Sequence, residues 1–155
     1  MLLSTIGCSS DQLHFQSKEL PLGWYKDSTL VFSLPVLDTV TPYGLQFSLR
    51  NTDQYAYSNL FLITTLQAPN GKAHIDTLEY VMATSQGKWL GTSKLSSVTE
   101  NLLWYKDQYQ FSEKGQYTVT VRQVMRHPNK VNGILNLEGI TDFGVRLITL
   151  SDSKK

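Results

Sequence analysis

The sequence predicts an all-β fold, an antiparallel β-sandwich or jelly-roll-like domain with at most one short helix. Three observations carry this. Apolar and polar residues alternate with period two in several segments, Gly- and Pro-containing turns separate those segments at hairpin spacing, and almost nothing reads as helix. About seven or eight strands of this kind bury their apolar faces only by packing as two sheets.

Residues 9–22 are mostly polar and lack a period, which reads as a flexible tether, and the folded domain is expected over 23–150. Over 43–49, Tyr43, Leu45, Phe47 and Leu49 share one face, with Gly44, Gln46 and Ser48 on the other, the pattern of a half-buried strand. Residues 60–66 are apolar on both faces and predict a central strand covered on both sides. Ala68-Pro69-Asn70-Gly71 supplies turn chemistry, so a hairpin partner is expected over 73–83. Residues 97–105 predict one short helix or turn, because Ser97 and Glu100 have capping-box spacing. Further strands are expected over 116–125, where Tyr117, Val119 and Val121 alternate with polar residues, and over 143–147. Residues 151–155 form a polar tail.

With 155 residues the chain is long enough for a core of its own, and a single cysteine excludes an internal disulfide. A net charge of +1, with both signs mixed along the chain, argues against nucleic acid as a partner. No apolar run approaches the roughly 20 residues of a membrane-spanning helix, so any membrane attachment is expected through lipid.

Cys8 is the residue for that role. It follows Leu2, Leu3, Ser4, Thr5, Ile6 and Gly7 and precedes Ser9 and Ser10, which resembles the end of a bacterial lipoprotein signal truncated to residues 1–8. Thr5 stands where Leu is usual, and the basic and full apolar regions of a leader are missing. The other reading is a free thiol in the N-terminal segment.

No chemistry of the catalytic kind stands out. His14, His74 and His127 lie far apart and none has a second His or Cys at metal-ligand spacing, so neither a metal nor a cofactor is expected. His74, Asp76 and Glu79 read as an exposed polar strand face, and there is no Gly-x-Ser-x-Gly elbow or Gly-rich phosphate loop. An enzyme is not expected. Aromatics are the more suggestive class, with Trp24, Tyr55, Tyr57, Trp89 and Trp104 near predicted strand ends, either closing the core or offering contacts. Triplets at Asp27-Ser28-Thr29, Asp38-Thr39-Val40 and Asp76-Thr77-Leu78 resemble an O-glycosylation acceptor, with Ser28, Thr39 and Thr77 as candidate sites.

Several stretches together resemble the GldH family of gliding-motility-associated lipoproteins of the Bacteroidota. They include Arg50-Asn51, Tyr55-Ala56-Tyr57-Ser58-Asn59-Leu60, Gly87-Lys88-Trp89-Leu90-Gly91, Gln123-Val124-Met125-Arg126 and Ile140-Thr141-Asp142-Phe143-Gly144-Val145-Arg146. The resemblance implies an acylated, non-catalytic cell-envelope protein tied to gliding motility and to systems linked with type IX secretion. Its partners would be other envelope or motility proteins, with a periplasm-facing outer-membrane position preferred. Within the matched stretches, Gly87 and Gly91 permit a tight loop in which Lys88 projects and Trp89 either plugs the core or presents an edge. Arg50, Arg126 and Arg146 are expected to pin loops through backbone carbonyls or a carboxylate such as Asp53 or Asp142. Trp89, Lys88, Tyr55 and Tyr57 are the candidate partner-binding residues. The rival reading is a carbohydrate-binding lipoprotein that uses Trp24, Trp89 or Trp104.

Overall fold

The computed structural model describes residues 12–94 and 97–150. Eleven strands form among them, beginning with β1 (Gln12–Glu19), β2 (Trp24–Tyr25), β3 (Leu30–Val36), β4 (Tyr43–Asn51) and β5 (Asn59–Gln67). The rest are β6 (Ala73–Val81), β7 (Thr92–Ser93), β8 (Thr99–Tyr109), β9 (Gly115–Gln123), β10 (Asn136–Leu137) and β11 (Ile140–Thr149). No helix forms among the described residues. One sheet runs β1, β11, β4, β8, β7 and the other β3, β9, β5, β6, while β2 and β10 pair separately. Apart from the short strands β2, β7 and β10, the chain changes sheet at every connection except the β5–β6 hairpin. All the long pairings are antiparallel. This is jelly-roll connectivity, within the antiparallel sandwich class that the alternation predicted.

The inward faces of both sheets are apolar. Phe47, at the centre, has ring centroids of Tyr105 and Phe143 each 5.1 Å away, and Leu45, Leu49, Leu60, Val119 and Val145 are fully buried around it. Each such side chain contributes roughly 1.5–3 kcal/mol of burial, more than a typical hydrogen bond between neutral groups. Side-chain contacts between the sheets close the two long edges. Ser33 N donates to Gln16 Oε1 across the β1–β3 edge at 3.1 Å. At the β6–β8 edge, Tyr105 Oη and Lys106 Nζ both donate to Asp76 Oδ2 at 2.9 Å. Asp76 is therefore a fastening between sheets, not part of a bare polar face. Desolvation pushes its carboxyl up, but the Lys106 and Tyr105 hydrogen bonds, with the charges of Lys106 and His74, bring it below the ordinary value.

Several expectations are corrected. Residues 12–19, placed in the flexible tether over 9–22, form an edge strand paired with β11, so the fold begins before residue 23. Residues 97–105, expected to be a helix or turn, enter β8, which pairs along most of β4. Leu102 and Trp104 face solvent while Asn101 and Tyr105 are buried, so the apolar run divides between strand faces and not along a helix. The polar face of β4 is covered: Gln46 is buried between Arg146 of β11 and Trp104 of β8, and Ser48 is buried between Gly144 and Leu102. Conversely, β5 is internal but buried on one face only. The hairpin holds as read, with Gly71 at φ 90° in the turn and Leu66 opposite His74.

This topology sorts the loops by end. Gln12 pairs with Ile148, Thr149 with Tyr43, and Tyr43 with Tyr109, so the start of β1 shares one end with the short loops 37–42, 68–72 and 110–114. The longer connections after β4, β6 and β9 meet at the other end, one strand length or about 30 Å away.

Candidate functional site

The far end gathers the aromatic candidates. The chain leaves β4 through Asp53 and Tyr55, and the segment after β6 turns back on itself, with Gly87 N donating to Thr84 O at 2.9 Å and Thr84 N to Lys88 O at 2.8 Å. Gly87 adopts φ 84°, as that turn requires. Gly91 is needed for a different reason, since an added Cβ would collide with Asn101 and Glu100 of β8. The two glycines thus deliver Trp89 onto the loop after β4. Its indole Nε1 donates to Asp53 Oδ1 at 2.9 Å, and its ring lies 6.2 Å from that of Tyr55.

Tyr55, Tyr57 and Trp89 therefore meet in space, but in different roles. Tyr55 is buried, its hydroxyl donates to Asn59 O at 2.6 Å, and burial, then the nearby Tyr57, pushes its phenol up. Tyr55 closes the core and supports the other rings. Tyr57 stands half-buried against it, centroids 5.5 Å apart and planes at 71°, and its other side meets His127 at 6.4 Å. Tyr57 is a wall between two clefts. One, of about 460 Å³, is lined by Asp53, Ser58, Thr84 and Trp89; the other, of about 390 Å³, by Phe61, Met125, Arg126 and Pro128. Lys88 is exposed at the rim of this surface.

Sequence reasoning missed what holds this end together. Asn101 Nδ2 donates to Leu49 O at 3.1 Å and to Asn51 Oδ1 at 2.8 Å, all buried beneath the loops. Gln123 Nε2 donates to Ile134 O at 2.9 Å while its Oε1 accepts from Met125 N at 3.0 Å, which fixes the start of the segment bearing His127. Gly139, at φ 85°, leaves room for the backbone of Tyr55, with which a Cβ would collide. The polar character of Asn101 and Gln123 at otherwise inward positions was the available signal.

The remaining candidates are dispersed. Trp24 is wholly buried with its Nε1 bonded to Ser28 O at 3.0 Å, and Trp104 lies on the outer face of the five-stranded sheet, so the three tryptophans make no common platform. Asp53 accepts from Trp89, and Asp142, opposite Arg50 in the ladder, accepts from Thr141 at 2.7 Å. Arg146 reaches Gln46 Oε1 on the next strand at 3.1 Å. Ser28 and Thr77 are exposed and Thr39 half-buried. Cys8, the signal expected over residues 1–8 and the tail 151–155 lie outside the described residues.

Comparison with known proteins places the chain in a family. The GldH lipoprotein model matches residues 13–147, from within β1 to within β11. The chain belongs to the GldH lipoprotein family. A gliding motility lipoprotein GldH homolog of Christiangramia forsetii is 47% identical over 124 residues, 80% of this chain and 76% of the relative. The gliding motility lipoprotein GldH of Flavobacterium johnsoniae is 38% identical over 150 residues, 95% of this chain and 92% of the relative. Among solved structures, one of infectious bursal disease virus aligns at 11% identity and TM-score 0.31 over 91% of this chain. That alignment spans 35% of the viral chain and is too loose to bear on fold or function.

Proposed function

We propose that this member of the GldH lipoprotein family is a non-catalytic envelope lipoprotein of the gliding motility and type IX secretion-associated machinery. Cys8 carries the lipid, the domain faces the periplasm from the outer membrane, and the far end of the sandwich captures a protein partner. The names of the relatives support the process. The observation that carries the contact surface is the convergence of Trp89, Tyr57, His127 and exposed Lys88 from three separate connections, on a base of buried Tyr55 and Asn101. Two clefts flanking one aromatic wall, with a cation at the rim, suit insertion of side chains from another protein. The end opposite the start of β1 also leaves this surface unobstructed when the N-terminal side is tethered to a membrane.

A photocrosslinking residue at Lys88 in the full-length protein in native envelopes is expected to trap a defined protein. Trp89→Ala and Tyr57→Ala are expected to abolish that crosslink at normal abundance and with less than about 2 kcal/mol lost in stability. Loss of membrane fractionation and of palmitate incorporation in Cys8→Ala tests the anchor separately. An undiminished crosslink in both aromatic variants overturns the surface assignment.

A further inference from the structure

The near end of the sandwich bears on how the domain sits on its membrane, an inference that rests on lipid attachment at Cys8. From Cys8 to Gln12, the first residue of β1, the chain spans at most about 14 Å even when fully extended. The headgroup region between hydrocarbon and water is itself about 5–8 Å deep. An acylated Cys8 therefore brings the end of the sandwich that carries Gln12 to the lipid surface, and brings the loops 37–42, 68–72 and 110–114 with it.

Loop 37–42 is built for contact with lipid. Leu37 is 81% exposed and Val40 77%, while Leu13, at the start of β1, is 55% exposed. The loop is nonetheless ordered by polar bonds. The Asp38 carboxylate accepts from Val40 N at 2.7 Å and from the Thr41 hydroxyl, and Val40 O accepts from Gln110 Nε2 at 2.7 Å. The Asp38 carboxylate, the Thr41 hydroxyl and the N–H and C=O of Val40 are thus engaged within the protein, while the side chains of Leu37 and Val40 are exposed. The charges around it balance: Asp38 lies near Lys114, and Glu113 Oε1 accepts from Asn70 N at 2.8 Å in the neighbouring loop beside Lys72. Attraction to anionic lipid is not what this end offers.

We propose that Leu37 and Val40 insert into the interfacial layer of the phospholipid bilayer, so that the acyl anchor and this loop together hold the domain upright with Trp89 and Tyr57 turned away from the membrane. The acyl chains on Cys8 fix the point at which the chain is held, and an apolar contact away from that point fixes how the domain is turned.

The test uses the full-length acylated protein in phosphatidylcholine vesicles. Leu37→Cys, Val40→Cys and, as the far-end control, Val131→Cys, which replaces a side chain 90% exposed, each carry an environment-sensitive fluorophore, with Cys8 blocked by its lipid. The expected result is a blue shift and at least twofold quenching by a shallow spin-labelled lipid at 37 and 40, with neither at 131. Aqueous spectra at 37 and 40 on a chain that floats with the vesicles overturn the insertion and leave the anchor standing. A chain recovered without acyl mass, which does not float, overturns both.

Discussion

The two ends of the jelly roll are built by different means. At the near end the connections are short: turn geometry and surface polar bonds order the Asp38-centred loop and the Gly71 turn, while loop 110–114 is also held by Phe111, buried against Tyr109 and Tyr117. At the far end the connections are long, and buried contacts order them: Asn101 beneath, Gln123 alongside and Gly139 against Tyr55. A rigid recognition surface is made where long connections are bonded into the core. A long loop holds its side chains in place only when its backbone is bonded into the core, whereas a short turn needs no such support.

Two glycines give the sharpest contrast. Gly139→Val meets both a positive φ and the Tyr55 backbone, and is expected to cost at least about 3 kcal/mol by urea unfolding. Gly71→Ala meets the same class of φ with open space around it, and is expected to cost about 1 kcal/mol. Equal costs would break the distinction between the ends. Asn101→Ala comes next, at about 2 kcal/mol, because it leaves Leu49 O and Asn51 Oδ1 buried without that donor. Tryptophan fluorescence should report a looser Trp89 in that variant before global unfolding, since Asn101 underlies Gly91 of the same loop.

The β6–β8 edge adds a pH-dependent intermediate case. Asp76 has a folded-state value held below its ordinary one, so its contribution is present above about pH 4 and is lost as pH falls through the lower folded value. Wild type is expected to melt above Asp76→Asn at pH 7, with the gap closing below about pH 4. A constant gap across that range would assign the effect to shape and not to charge.

The sandwich class, the hairpin and the Gly-Lys-Trp-Leu-Gly loop were legible because each rests on local chemistry: period-two alternation, turn residues, and glycines where a Cβ or a negative φ does not fit. Strand β1 was not, because its pattern is inverted. Leu13 and Phe15 face out while Gln16 and Lys18 face in, Gln16 bonding to Ser33 and Lys18 lying over the Phe32 ring at 5.6 Å. Inward polar residues suit an edge strand that must not recruit another chain, yet they erase the amphipathic signal. Strand β8 was misread because capping-box spacing is a local cue and its pairing with β4 is a long-range fact. Of the proposed contact residues, sequence brought out the rings but not their ranks, since burial of Tyr55 depends on Gly139, distant in the chain.

The smallest expected effect bears on the near end. Leu37→Ser and Val40→Ser should each change the unfolding free energy of the chain by less than about 0.5 kcal/mol, because neither side chain is covered by the fold. Aliphatic residues displayed on a well-ordered loop at no benefit to stability are where a second surface is expected to be met, and the bilayer within reach of Cys8 is that surface in the orientation proposed above. If either substitution instead costs more than 1 kcal/mol by chemical denaturation, the loop belongs to the core. The near end would then be packed like the far end, and the contrast on which the upright orientation depends would disappear.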